Sequence, residues 1–220
     1  MKNYLLATAA ALLTLLAAPH AEAQRRSNAQ NTTPLPTTNN NATAPNTTPT
    51  PPGATNGKLD YRNPAADALI PAEADKRQPI TDDLEATVVE LLELYHDSKQ
   101  SHWNLRGPLY LSLHEQLQEN ADAYLKYTDI LAERVLEVGH PIDGRTGVVA
   151  ATANLDGYPS GYLSDQQVLI LMTERLNTVA KRVRQRIEHL GKVDETTSNL
   201  LQELSYTLDK HVWKFRVMMQ

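Results

Sequence analysis

Beyond Thr81 the chain consists of four long segments of helical period, interrupted once by a stretch punctuated with Gly and Pro, and this leaves few folds open. The first segment starts at Thr81-Asp82-Asp83, acids suited to the positive end of a helix. It repeats Leu84, Val88, Leu91 and Tyr95 at alternating steps of four and three until Gly107-Pro108 stops it. The second runs from Leu109 to Val138 and meets a Gly-then-Pro stop at Gly139-His140-Pro141. A connection continues through Tyr162, with a short helix expected around Gly147 to Thr152. Ser164-Asp165-Gln166-Gln167 has the spacing of a capping box and opens the third helix, which ends at Leu190-Gly191. The fourth starts near Asp194-Glu195 and carries Leu200, Leu204, Leu208 and Trp213 toward the C-terminus. The expected fold is all-α, a four-helix bundle with a short extra helix in the long connection between helices two and three.

The 80 residues upstream have a different texture. Residues 1–23 read as a secretory signal peptide, with Lys2 as the positive start, Leu5 to Ala18 as a run of Leu, Ala and Thr, and Ala21-Glu22-Ala23 as the cleavage site. The run falls short of the roughly 20 residues that span a bilayer, so an exported chain is expected, in the periplasm or cell envelope. Residues 24–80 are expected to be a disordered linker and N-terminal arm. Ser27 to Gly57 alone holds 9 Thr, 7 Asn and 6 Pro, with Leu35 as its one large apolar side chain, too little to offset chain entropy. Lys58 to Ile80, with Leu59, Tyr61, Leu69 and Ile70, suits packing on a surface without regular structure.

There is no cysteine, which removes disulfides, thiolate metal sites and thiol nucleophiles, so any metal must sit on His, Asp or Glu. The net charge of -5 divides unevenly: residues 81–220 carry 14 Lys/Arg and 21 Asp/Glu, while residues 24–80 carry 6 and 4. An acidic bundle is a poor neutraliser of phosphate, so DNA binding is expected to be weak. The basic run Lys181-Arg182-Val183-Arg184-Gln185-Arg186 reads as the solvated face of helix three.

Extending the first apolar stripe by the same rule brings Ser98 and His102 to its inward face. On the second helix His114, Gln118, Asp129 and Glu133 fall at about 0°, 40°, 60° and 100° of rotation, all on one side. His114 and Asp129 are separated by roughly 22 Å of helix rise, so they cannot share an ion within one chain. Yet 114 with 133 and 118 with 129 have the same midpoint, between Ala123 and Tyr124. Two copies of this helix crossing antiparallel there would set His114 against the mate's Glu133 and form two equivalent sites. Imidazole plus carboxylate suits Fe(II), Mn(II) or Zn(II). A solvated stripe of i,i+4 charges accounts for the same spacing. The common midpoint and the inward His102 are what favour a metal.

His102-Trp103-Asn104-Leu105-Arg106-Gly107, Leu113-His114, Asp129-Ile130-Leu131-Ala132-Glu133-Arg134 and the closing Leu208-Asp209-Lys210-His211-Val212-Trp213 resemble the signatures of the Dps family, the DNA-binding proteins from starved cells. The resemblance covers Thr81 to Gln220 and is strongest to exported members with an Asn/Thr/Pro-rich arm. It implies a ferritin-like bundle in a hollow dodecamer that oxidises Fe(II), preferably with hydrogen peroxide, and stores ferric iron. On that resemblance His102 and His114 are ligands from one subunit, and Asp129 and Glu133 from its neighbour. Trp103 is the nearby aromatic able to intercept oxidising equivalents. The family has an acid where this chain has Gln118, a neutral amide that is a weaker ligand than a carboxylate. Asp122 is a candidate helper outside the motif. Asp194 and Glu195 resemble the family's acidic iron-entry pores, although a helix start favours acids in any case.

Glu93 with His96 and Glu137 with His140 mimic the Glu-x-x-His pairs of ferritin-type di-iron bundles, but the second pair straddles the helix end. His189 and His211 have no partners at metal spacing and read as surface or packing residues. The alternative to an oxidising enzyme is a shell, associated with envelope or DNA, that sequesters metal without catalysis.

Overall fold

The computed structural model describes residues 54–55, 58–59 and 63–220; the expected signal peptide and most of the linker lie outside the described residues. Residues 1–57 and 58–220 form separate units. Of the first, only strand β1 (Ala54–Thr55) is described. The second contains β2 (Lys58–Leu59), α1 (Pro64–Asp67), α2 (Arg77–Asn104), β3 (Leu105–Arg106), α3 (Tyr110–Glu137), α4 (Thr146–Thr152), β4 (Leu163–Ser164), α5 (Asp165–Leu190) and α6 (Glu195–Met218). The four long helices and the short α4 are those expected, and among the described residues no helix is long and apolar enough to cross a membrane.

The arm departs from expectation. Asn63 caps α1 by accepting the Ala65 N–H at 3.1 Å, and Pro64 occupies the first helical position, where its missing N–H is harmless. The turn that follows is gathered by the Arg77 guanidinium, which donates to the carbonyls of Ala72, Asp67 and Ile70 at 3.0, 3.3 and 3.4 Å. α2 starts at Arg77, a turn before Thr81, because Pro79 sits in the first turn and Ile80 is fully buried. The core therefore begins inside the segment read as arm.

α2 lies beside α3, and α5 beside α6, each pair antiparallel. Their apolar stripes meet in one core that includes Leu84, Leu91, Leu117, Leu131, Leu176 and Leu204, all fully buried. Truncating any of these leucines to Ala would cost about 2–5 kcal/mol. The caps follow the sequence. Ser164 Oγ accepts the Gln167 N–H at 3.2 Å while Gln167 Oε1 accepts the Ser164 N–H at 2.9 Å. Asp194 caps α6 through the Thr197 N–H. α3 ends in a Schellman motif: Gly139 N–H bonds the Leu136 carbonyl and His140 N–H the Val135 carbonyl. Gly139 has φ +88, and a Cβ there would strike the Ile70 side chain.

The basic run on α5 is not simply a solvated face. Arg182 and Arg186 turn inward and pair with Glu90 of α2, a carboxylate only 3 % exposed, while Arg184 pairs with Asp209 of α6. A buried acid on the facing helix draws in side chains that α5's own pattern would send to water.

Candidate metal centre

The C-terminal end of α2 and the start of α3 run antiparallel and bring His102 and His114 together. Between them, β3 pairs in parallel with β4, Leu105 against Leu163, and fixes the exit of α2. Gly107 has φ +145, and a Cβ there would collide with the Asp165 carboxylate, which accepts the Leu109 N–H at 3.0 Å. The glycine of the motif thus lets α5 hold the α2–α3 turn in place.

The two imidazoles stack at 3.6 Å between centroids and 19° between planes, and Tyr110 stacks on His114 at 5.0 Å. Each Nδ1 contacts the other histidine's backbone carbonyl, His102 to His114 at 2.9 Å and His114 to His102 at 3.0 Å. A carbonyl only accepts, so both Nδ1 atoms carry hydrogen, and a neutral ring then keeps its lone pair on Nε2. Among the described residues neither Nε2 has a partner. Burial holds the His102 pKa below its usual value despite the carbonyl bond, and nearby His114 and Lys99 act in the same direction. A neutral imidazole is the form a metal needs.

His102 and His114 are half-buried rather than deep in the core. Asp129 and Glu133 are exposed on the far half of α3, and neither carboxylate is hydrogen-bonded or ion-paired within the protomer. Among the described residues no three His, Asp or Glu side chains converge in one chain. Each protomer presents an imidazole half and a carboxylate half.

Gln118 is engaged at both ends of its amide. Its Oε1 accepts from Lys99 Nζ at 2.5 Å and its Nε2 donates to Asp122 at 2.7 Å. Lys99 also lies 5.5 Å above the ring of Trp103, which is 67 % exposed. A cation therefore stands where a carboxylate would be expected. Lys99 is 19 residues from Gln118, a long-range pairing that no local spacing rule reveals.

The other candidates are held elsewhere. His96 is exposed. Glu137 pairs with Arg134, and His140 lies past the end of α3. His189 bonds Asp83 at 2.6 Å. Asp194 pairs with Arg134 at 2.9 Å; burial works to raise its pKa, but bonds from Thr197 and Arg134 prevail and hold it low. Asp194 is thus a structural cap, while Glu195 remains exposed.

The helical frame and the family comparison define a class first: residues 81–220 match the model of the ferritin-like domain. Within that class, the chain is 41% identical over 137 residues to DNA protection during starvation protein 2 of Deinococcus radiodurans, covering 62% of this chain and 57% of that protein. It is 30% identical to the DNA protection during starvation protein of Agrobacterium fabrum, covering 59% of this chain and 81% of the relative. The crystal structure of Dps92 from Deinococcus radiodurans superposes with a TM-score of 0.65 at 38% identity, over 67% of this chain and 89% of that one. The chain belongs to the Dps family.

Proposed function

We propose that the chain is the subunit of an exported Dps-type shell that oxidises Fe(II), preferably with hydrogen peroxide, and stores the ferric product. The observation that carries this reading is the reciprocal Nδ1–carbonyl lock of His102 and His114, which leaves two neutral Nε2 donors with no protein partner. Asp129 and Glu133 lack partners in the same way. A twofold mate crossing near Ala123 and Tyr124 would bring its carboxylates to these imidazoles and complete an N/O site for iron. Iron is substrate here: two Fe(II) give one electron each to peroxide, which takes two protons and leaves as two waters without releasing hydroxyl radical. Twofold dimers would assemble into a dodecamer, with DNA contact weak because the bundle is acidic.

Lys99's hold on Gln118 favours a second reading, a shell that sequesters iron without oxidising it. Stopped-flow absorbance with Fe(II) and peroxide separates the two. The expected result is rapid Fe(III) formation that His102→Ala and Asp129→Ala each abolish, whereas a rate equal to buffer in all three proteins means sequestration. Scattering at the iron edge from soaked crystals should place iron between His102 and His114 of one chain and carboxylates of another.

A further inference from the structure

Tyr124 is fully buried at the centre of α3, and its hydroxyl lies 3.2 Å from Nδ1 of His211, a histidine of α6 that is only 2 % exposed. The rings meet edge to face at 5.5 Å. Burial presses the His211 pKa down to about 4, with Lys214 and Lys210 adding to the effect and Glu119 opposing it. The ring is therefore neutral near pH 7, and a phenol beside a neutral imidazole has a proton acceptor already in hand. Packing alone would be satisfied by Phe and Leu, without two polar groups in an apolar core.

Peroxide reduction requires two electrons. With Gln118 held by Lys99, the site lacks the carboxylate that would firmly hold a second iron. A site carrying one Fe(II) supplies one electron and needs another donor. Tyr124 sits at the proposed crossing point, five residues or about 7.5 Å of rise from Asp129 and about 15 Å from His114.

We propose that the Tyr124–His211 pair is an internal electron donor that completes peroxide reduction when a site holds a single Fe(II). The proposal rests on the Fe(II)-oxidising reading above. Fe(II) gives one electron and becomes Fe(III). Tyr124 gives the second, and its hydroxyl proton moves to Nδ1 of His211, leaving a neutral tyrosyl radical beside an imidazolium. Peroxide accepts both electrons and two protons from solvent, its O–O bond breaks, and two waters leave. The imidazolium faces Glu119, which attracts it, while Lys214 and Lys210 repel it. Burial keeps the radical away from solvent and from any DNA outside the shell, unlike a radical on exposed Trp103.

The test mixes the full chain, loaded anaerobically with one Fe(II) per protomer, with hydrogen peroxide, and follows it by Fe(III) absorbance and freeze-quench electron paramagnetic resonance. The expected result is a tyrosyl signal that narrows in protein made with ring-deuterated tyrosine, persists in Trp103→Phe, and is lost in Tyr124→Phe and in His211→Gln. Fe(III) formation without a tyrosyl signal in the wild type, or an unchanged signal in Tyr124→Phe, overturns the proposal and leaves the Fe(II)-oxidising reading standing. Absence of Fe(III) in the wild type defeats that reading first. Ring deuteration requires no substitution, so the assignment to tyrosine does not depend on a variant's folding.

Discussion

Replacing Glu90 with Ala should remove about 3 kcal/mol from the stability of the bundle. The carboxylate is 3 % exposed, and it neutralises Arg182 and Arg186, whose side chains are 27 % and 13 % exposed. Breaking a buried pair usually costs about 3–5 kcal/mol, because the charge left behind remains desolvated. The lower end applies here: Arg182 keeps the Ala153 and Asn154 carbonyls at 3.3 and 3.0 Å, and Arg186 keeps Thr87 Oγ1 at 3.1 Å. For a domain of this size the loss corresponds to a Tm drop of about 6–12 °C. Urea titration is the appropriate assay, since guanidinium salt would screen the pairs, and it should be run at fixed protomer concentration because an oligomer's stability depends on it. Glu90→Gln keeps one acceptor oxygen and should lose about half as much. Replacing all three side chains with Met should restore most of the stability, since no charge is then stranded. A loss under about 1 kcal/mol for Glu90→Ala, the scale of a surface pair, or additive effects of Glu90→Ala and Arg186→Ala, would refute the buried-triad reasoning.

His211 should give the fold an acid-sensitive limb. Its folded pKa of about 4 lies below the ordinary 6.5, so between these values the unfolded chain binds the extra proton. The contribution, about 3 kcal/mol, is intact above pH 6.5 and lost as pH falls toward 4. Urea stability measured at pH 7 and pH 4.5 should fall less in His211→Gln than in the wild type, and equal falls would count against it. Gln118→Asp should tighten anaerobic Fe(II) binding roughly tenfold, with a larger gain in a Lys99→Met background. Identical titrations for Gln118→Asp and the wild type would dispose of the idea. Gel shifts at physiological salt should show weak DNA retention that is lost when residues 24–62 are deleted; tight binding by the shortened shell would contradict the charge argument.

The helices were legible because caps and stops are local: Ser164 with Gln167, and Gly139 with Pro141, lie within one turn of what they govern. The separation of imidazoles from carboxylates was also legible, since helix rise alone keeps His114 from Asp129. What escaped the sequence depends on side chains reaching across helices. Arg182 and Arg186 were read as solvated because their own helix gives no sign of Glu90, 92 and 96 residues away. Lys99 looked like an ordinary surface base, and only the antiparallel register of α2 and α3 shows that it reaches Gln118. The stacking of His102 on His114 likewise follows from the turn that Gly107 and Asp165 set, not from either histidine's position in its own stripe.

Gly139 has a consequence for how the chain can be shortened. The missing side chain at the end of α3 is a notch occupied by Ile70, and Arg77 clasps the carbonyls on either side of that plug. A cut at Thr81, where the helical texture begins, would pull the plug, remove the clasp and take fully buried Ile80 with it. A cut ahead of Asn63 spares all three. Any effect of the shorter deletion on DNA or envelope association can then be assigned to the missing tail rather than to a wounded bundle.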